Sequence, residues 1–140
     1  MELLEELEYR ELIYPVTDRE TLSKRLQERP ITLYIGFDPT ADSLHIGNLL
    51  QILLLRRFQL AGHHPIAVAG GGTGLIGDPS GKSGERQLTE EDTVQEWTAK
   101  IRGQMEQYLD FENPANPAHI VNNYSWLGKL ELIPFLREIG

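Results

Sequence analysis

The chain has 140 residues, of which 40% are hydrophobic and 24% charged, as in an ordinary folded domain rather than a disordered or fibrous chain. Thirteen Lys and Arg against 21 Asp and Glu give a net charge of -8, which excludes a domain that holds DNA or RNA broadly through its phosphates. The absence of cysteine excludes disulfides, thiolate metal sites and cysteine nucleophiles, and it fits a cytosolic protein best.

This length supports one hydrophobic core, so we treat residues 1–140 as one domain with a helical segment over about residues 1–30. Apolar residues at positions 3, 4, 7, 12 and 13, placed between acidic residues that favour a helix N-terminus, predict a short amphipathic helix over residues 2–13. A capping box over residues 17–20, with Thr17 as the cap, predicts a second helix that ends before Pro30. The apolar runs are too short to span a bilayer, so we expect no membrane partner.

The next elements predict a βαβ unit. Residues 31–36 are apolar and β-branched, which is typical of a short strand buried on both faces. Residues 44–61 are apolar on nearly every face, which predicts a buried helix that Gly62 ends. A second strand is predicted over residues 65–69, and a strand, a helix and a strand in this order predict a parallel sheet.

The second half of the chain continues the α/β pattern. Glycine-rich residues 70–84 predict a loop, and apolar residues at helical spacing predict a helix that begins at Thr89. A third strand is predicted over residues 119–123 and a last helical stretch over residues 130–139. The predicted fold class is therefore α/β, and we expect an incomplete sheet because open parallel sheets usually have about five or six strands.

Three candidate clusters follow the predicted strands, over residues 34–48, 70–86 and 122–126. We expect them to meet, because open α/β sheets bind ligands at the carboxyl ends of their strands. His45 and Asn48 share one face at the start of a helix, where an imidazole and an amide can donate to phosphate oxygens. Simple capping or packing is the alternative role for His45.

The glycine-rich stretch is open to several interpretations. Residues 72–77 match G-x-G-x-x-G, but the Asp78-Pro79 pair interrupts the chain where a dinucleotide fold needs a helix, so we expect no dinucleotide site. Lys82 and Arg86 can meet negative charge on a departing phosphate group, or they can be part of a solvated basic loop. Asp78 is equally typical of a loop turn.

A metal-dependent hydrolase is a further alternative, because the chain has four histidines at positions 45, 63, 64 and 119. Metal-binding helices of this kind use a spacing such as H-E-x-x-H, and the chain does not contain it. We therefore predict no metal centre.

Three separated motifs carry a family resemblance. YIGFDPTADSLHIGN at residues 34–48 resembles the signature region of class I aminoacyl-tRNA synthetases, and in detail that of the bacterial tyrosyl-tRNA synthetases. TGLIGDPSGK at residues 73–82 and NNYSW at residues 122–126 resemble the same family in order and spacing. The resemblance implies that residues 1–140 are the amino-terminal portion of a Rossmann-like catalytic domain, since the second class I signature, Lys-Met-Ser-Lys-Ser, does not occur in them.

The resemblance also implies an activity. The family activates tyrosine with ATP and Mg²⁺, releases pyrophosphate and transfers tyrosine from tyrosyl-adenylate to tRNA(Tyr). We accordingly expect a cytoplasmic enzyme that is a homodimer when complete. It implies tyrosine-binding roles for Tyr34, Asp78 and Asn123. It implies ATP-binding roles for Gly36, Asp38, Thr40, His45, Gly47 and Asn48. It implies catalytic roles for Thr40, His45, Asn48, Lys82 and Arg86.

The chain departs from the commonest family pattern at two positions. Asn48 replaces a second histidine and keeps a hydrogen-bond donor, and Ile35 replaces a small or polar residue near the ribose. Two alternatives to a synthetase remain: a nucleotide-binding fragment that is inactive without its carboxyl-terminal part, and a fragment that folds only when joined to that part.

Overall fold

The structure is a computed structural model that describes residues 2–38, 43–76 and 91–139. Within these ranges the elements, in chain order, are α1 (Leu3–Tyr9), α2 (Arg19–Glu28), β1 (Thr32–Phe37), α3 (Ile46–Leu60), β2 (His64–Ala69), α4 (Gly71–Ile76), α5 (Glu91–Met105), β3 (His119–Asn122), α6 (Tyr124–Leu127) and α7 (Leu132–Glu138). The predicted α/β class is confirmed.

The three strands form a parallel sheet in the order β1-β2-β3. The register pairs Phe37 with Ala69 and Ala69 with Asn122, so the last residue of each strand lies in one row. The chain segments that leave the sheet therefore start from one edge, as the predicted parallel sheet requires.

One face of the sheet is covered by α3 and by the end of α5. The core on this face consists of Phe37, Ile52, Leu55, Ala67, Ile101, Met105, Leu109 and Ala118. Side chains alternate between the faces of a strand, so Thr32, Tyr34 and Gly36 lie on the opposite face, where they are exposed. The prediction that β1 is buried on both faces is wrong, because β1 is an edge strand whose second face has no cover among the described residues.

The two amino-terminal helices are shorter than predicted. α1 ends at Tyr9, and the chain then turns through Glu11 at a φ of 56°, with the Leu12 N–H donating to the Leu7 carbonyl at 2.9 Å. The cap of α2 is Asp18 rather than Thr17, because the Asp18 carboxylate accepts the Thr21 N–H at 3.0 Å. This hydrogen bond lowers the pKa of Asp18.

Helix α3 ends as predicted and is less buried than predicted. Gly62 has a φ of 91°, and the following His63 N–H donates to the Phe58 carbonyl at 3.0 Å, which closes the helix. One face of α3 is buried, whereas Ile46 and Leu60 at its two ends are 78% and 70% exposed. The apolar sequence therefore corresponds to a helix of which one face is covered by other described residues.

The predicted loop over residues 70–84 is wrong for its first part, because Gly71–Ile76 forms α4, with the Gly74 N–H donating to the Gly70 carbonyl at 2.7 Å. The remainder of that predicted loop and Thr89 lie outside the described residues. β3 ends at Asn122, one residue earlier than predicted, and the short helix α6 follows it. None of the helices in the described ranges is long and apolar enough to cross a membrane.

Candidate active site at the carboxyl edge of the sheet

Hydrogen bonds join three residues that follow the strands, and we name Asp38, Thr73 and Asn123 the sheet-edge cluster. The Thr73 hydroxyl lies 2.9 Å from Asp38 Oδ1 and 3.1 Å from the Gly70 carbonyl, and the carboxylate is the stronger of these two acceptors. Asn123 Nδ2 donates to Thr73 Oγ1 at 3.3 Å. The cluster therefore links the segments that leave all three strands.

The glycines after β2 allow this close approach. A Cβ atom on Gly70 would lie 2.2 Å from Asp38 Oδ1, and one on Gly71 would lie 2.2 Å from Asn122 Oδ1. The Gly72 N–H donates to Asn123 Oδ1 at 2.6 Å. Because a side chain has no room at the first two positions, the start of α4 can pack directly on the segments that follow β1 and β3.

The start of α3 forms a second group, His45, Gly47 and Asn48, which we name the helix-start cluster. His45 Nδ1 accepts the Gly47 N–H at 3.1 Å, and Asn48 Oδ1 accepts the His45 N–H at 3.1 Å. His45 thus caps the helix, which is the alternative role that the sequence left open. A neutral imidazole that accepts through Nδ1 carries its proton on Nε2, so the exposed ring presents a hydrogen-bond donor.

Two contacts restrict this cluster further. A Cβ atom on Gly47 would lie 3.0 Å from His45 Cε1, so the glycine leaves room for the imidazole. Asn48 Nδ2 donates one of its two hydrogens to Gln51 Oε1 at 3.3 Å, so the second hydrogen can donate to a phosphate oxygen. Among the described residues, no hydrogen bond joins the helix-start cluster to the sheet-edge cluster.

Tyr34 and Gly36 lie on the same face of β1 as Asp38, since alternate residues of a strand share a face. Four steps of about 3.3 Å per residue place Tyr34 about 13 Å from Asp38, the residue directly after β1. Tyr34 is 73% exposed, and no atom of the described residues lies within 4 Å of a Cβ atom built on Gly36. Within the described ranges, this face of β1 is therefore open to a ligand along its length.

Four of the predicted site residues, Thr40, Asp78, Lys82 and Arg86, lie outside the described residues. Seven lie within them, and these are the members of the helix-start cluster together with Tyr34, Gly36, Asp38 and Asn123. The structure joins Asp38 to Asn123 through Thr73, and it joins His45 to Gly47 and Asn48.

The histidines of the alternative metal site do not form a common site. His63 is 4% exposed and accepts the Ile31 N–H through Nδ1 at 3.2 Å. Burial, with a smaller effect from the charge of His64, lowers the pKa of His63. In residues 2–38, 43–76 and 91–139, no three His, Cys, Asp or Glu side chains are grouped as metal ligands.

The sequence placed Gly70 and Thr73 in the candidate cluster over residues 70–86 but assigned neither of them a role. The available signal was the run of three glycines directly after a predicted strand, which is typical of a close backbone approach as well as of a loop. Thr73 follows that run and is the residue through which Asp38 and Asn123 are connected.

The fold is an α/β domain with a parallel sheet and connected polar residues at the carboxyl ends of its strands, and comparison with known proteins identifies the family. The family model for class I tRNA synthetases (W and Y) matches residues 26–140. The chain therefore belongs to the class I tRNA synthetase family that contains the tryptophan and tyrosine enzymes.

The curated relatives narrow this similarity to the tyrosine enzymes. The chain is 63% identical over 138 residues to the tyrosine–tRNA ligase of Bacillus velezensis and 62% identical over 138 residues to tyrosine–tRNA ligase 1 of Bacillus subtilis. These alignments cover 99% of this chain and 33% of each relative. The chain thus spans about a third of the length of the curated relatives it matches.

Solved structures have the same fold. A C-terminally truncated mitochondrial tyrosyl-tRNA synthetase from Coccidioides posadasii superposes with a TM-score of 0.77 at 28% identity. The match covers 96% of this chain and 39% of that chain. The predicted Rossmann-like class I fold, present in part, is confirmed.

Proposed function

We propose that this chain supplies the first half of the active site of an enzyme that activates tyrosine with ATP and transfers it to tRNA(Tyr). The observation that carries this proposal is the connected sheet-edge cluster at the carboxyl ends of three parallel strands, in a chain 63% identical to a tyrosine–tRNA ligase. Open α/β sheets bind their ligands at this edge.

Tyrosine binding is proposed along the open face of β1. The exposed Tyr34 hydroxyl can pair with the phenol of the substrate, and Asn123 and Asp78 complete the proposed tyrosine set. A site that pairs a phenolic hydroxyl rejects phenylalanine, because its own polar groups would then be left without partners. The carboxylate of the bound amino acid would then be directed towards the ATP.

ATP binding is proposed at the start of α3 and the adjoining end of β1. Gly36 and Gly47 carry no side chain that blocks a nucleotide, and His45 presents Nε2–H for a phosphate oxygen. Asp38, Thr40 and Asn48 complete the proposed ATP set. Mg²⁺ enters with ATP as part of the substrate.

The proposed chemistry is a displacement at the α-phosphate. The tyrosine carboxylate attacks the α-phosphorus, the bond to the bridging oxygen breaks, and pyrophosphate leaves with the electron pair, giving tyrosyl-adenylate. Thr40, His45, Asn48, Lys82 and Arg86 are proposed to stabilise the charge that develops on the phosphates. The chain's part in this step is therefore positioning and electrostatic stabilisation rather than covalent catalysis.

The complete enzyme is proposed to be a cytoplasmic homodimer. The net charge of -8 predicts that this segment alone binds tRNA weakly, since phosphate contacts require a local excess of Lys and Arg. The contacts to tRNA(Tyr) are therefore proposed to lie mainly outside these 140 residues. Neither DNA nor a membrane is part of the proposal.

Tyrosine-dependent exchange between ATP and pyrophosphate tests the proposal, together with calorimetric titration of both ligands into the purified chain. We expect exchange that needs tyrosine and is lost when Lys82→Ala and Arg86→Ala are combined. Tyr34→Phe should weaken tyrosine binding, whereas Tyr14→Phe should not, because Tyr14 is a 95% exposed residue outside the proposed site.

Two other outcomes are informative. ATP binding without exchange would support the alternative of a nucleotide-binding fragment that needs its carboxyl-terminal part for chemistry. A folded chain that binds neither ATP nor tyrosine would overturn the proposal that these residues form half of an active site.

A further inference from the structure

The end of α5 contacts the segment that leads into α3. Gln104, in the last turn of α5, accepts the Leu44 N–H through Oε1 at 2.9 Å and donates to Ser43 Oγ through Nε2 at 3.1 Å. A single partly buried amide therefore binds two consecutive residues just before His45. These contacts connect positions that are 60 and 61 residues apart in sequence.

The last turn of α5, which carries Gln104, is held in place by the core. Met105, the next residue after Gln104, is fully buried and packs in the same cluster as Ile52 of α3. The backbone of a helix turn whose side chain packs in the core has little freedom to shift, since protein interiors are as dense as organic crystals. Gln104 can therefore hold Ser43 and Leu44 at a fixed position relative to the core.

The segment before α3 has space beside it. Ser43, Leu44 and His45 border an open cavity of about 290 Å³, which is also lined by Gln104 and Tyr108. The Leu44 side chain packs against the core, and the two hydrogen bonds to Gln104 are the polar contacts that restrain the segment across this space. Without them, we expect the backbone at Leu44 to shift towards the cavity.

We propose that Gln104 is a positioning residue for the ATP site, which it serves by fixing Ser43 and Leu44 and, through them, the capping geometry of His45. When Leu44 is fixed, the His45 ring accepts the Gly47 N–H through Nδ1 and keeps its proton on Nε2. This inference rests on the proposed function, in which Nε2–H meets a phosphate oxygen. Gln104 acts through the chain and does not itself touch ATP.

The test compares two changes at Gln104 with a matched control. Gln104→Leu removes both contacts, whereas Gln104→Glu keeps an acceptor for the Leu44 N–H and for the Ser43 hydroxyl. Gln107→Leu makes the same chemical change three residues later, at an exposed side chain that makes no hydrogen bond in the described part of the chain.

Two measurements are made on each ¹⁵N-labelled chain. Long-range ¹H–¹⁵N spectra report which ring nitrogen of His45 carries the proton, and hydrogen exchange reports the protection of the Leu44 and Gly47 amides. Titration calorimetry with ATP then measures the dissociation constant. The spectra and the exchange rates do not depend on ATP binding, so the positioning role and the proposed function can fail separately.

In Gln104→Leu we expect both amides to exchange about tenfold faster, the His45 ring to become a mixture of tautomers, and ATP to bind about tenfold more weakly. In Gln104→Glu and Gln107→Leu we expect all three values to stay within about twofold of the parent chain. An unchanged His45 spectrum in Gln104→Leu, or an equal change in Gln107→Leu, would overturn the positioning role. If the parent chain binds no ATP, the proposed function fails, and the spectra still decide whether Gln104 positions His45.

Discussion

Replacing Gly70 with alanine should destabilise the chain strongly, because the new Cβ has no room. It would lie 2.2 Å from Asp38 Oδ1, 2.6 Å from Thr73 Oγ1 and 3.3 Å from the Asp38 Cα atom. The first two contacts involve side chains that can move, but only by giving up the hydrogen bond of 2.9 Å between them. The third contact is with backbone next to β1.

The magnitude follows from these contacts. Forcing a methyl group into a packed site costs about 1–3 kcal/mol, and losing a hydrogen bond to a charged group costs about 1.5–3 kcal/mol. Asp38 is exposed, so water replaces part of the lost hydrogen bond. We therefore expect the free energy of unfolding to fall by about 2–4 kcal/mol, which at an ordinary urea dependence moves the midpoint down by about 1–2 M.

Urea titrations of the parent chain, Gly70→Ala and Gly103→Ala measure this effect. Gly103 lies in α5, and no described residue comes within 4 Å of an added Cβ, so alanine there should raise the free energy of unfolding by about 0.5–1 kcal/mol. If Gly70→Ala unfolds at the parent midpoint while Gly103→Ala behaves as expected, the close approach at Gly70 is not a constraint and the reasoning is refuted.

Two further substitutions test the histidines. The pKa of His63 lies below its usual 6.5, so its contribution to stability is fully present above about pH 6.5 and decreases as the pH falls. In urea titrations, His63→Gln should therefore lose less stability than the parent between pH 7 and pH 5. An equal loss of stability in the two chains would contradict this. Gly47→Ala should displace the His45 ring, which has an atom 3.0 Å from the new Cβ. Loss of the cap should lower the free energy of unfolding by about 1 kcal/mol. His45 ring signals like those of the parent in ¹⁵N spectra would contradict the displacement.

The general position of the site could be predicted from the sequence. Short apolar strands separated by helices predict a parallel sheet, and residues that follow parallel strands meet at one edge. The register that pairs Phe37, Ala69 and Asn122 in one row brings Asp38 and Asn123 to that edge, as predicted. No local signal indicated that Thr73 is the residue between them.

The helical state of residues 71–76 could not be predicted, because glycine disfavours helices by about 1 kcal/mol per residue. α4 forms because Gly71 and Gly72 must approach Asn122 and Asn123, a tertiary constraint that local preference does not reveal. The exposure of Tyr34 could not be predicted either, since an apolar run does not indicate which face of the strand another element covers.

The sheet-edge cluster also has a consequence for folding kinetics. Its two hydrogen bonds connect residues 35 and 50 positions apart, so each forms only after a long loop has closed and two parallel strands have paired. A shift of one residue in either pairing would turn the strand's side chains to the opposite face. The cluster is therefore expected to form late in folding and only when both strand pairs are in the correct register. A ligand that binds the cluster would slow global unfolding of the chain rather than the opening of a single loop.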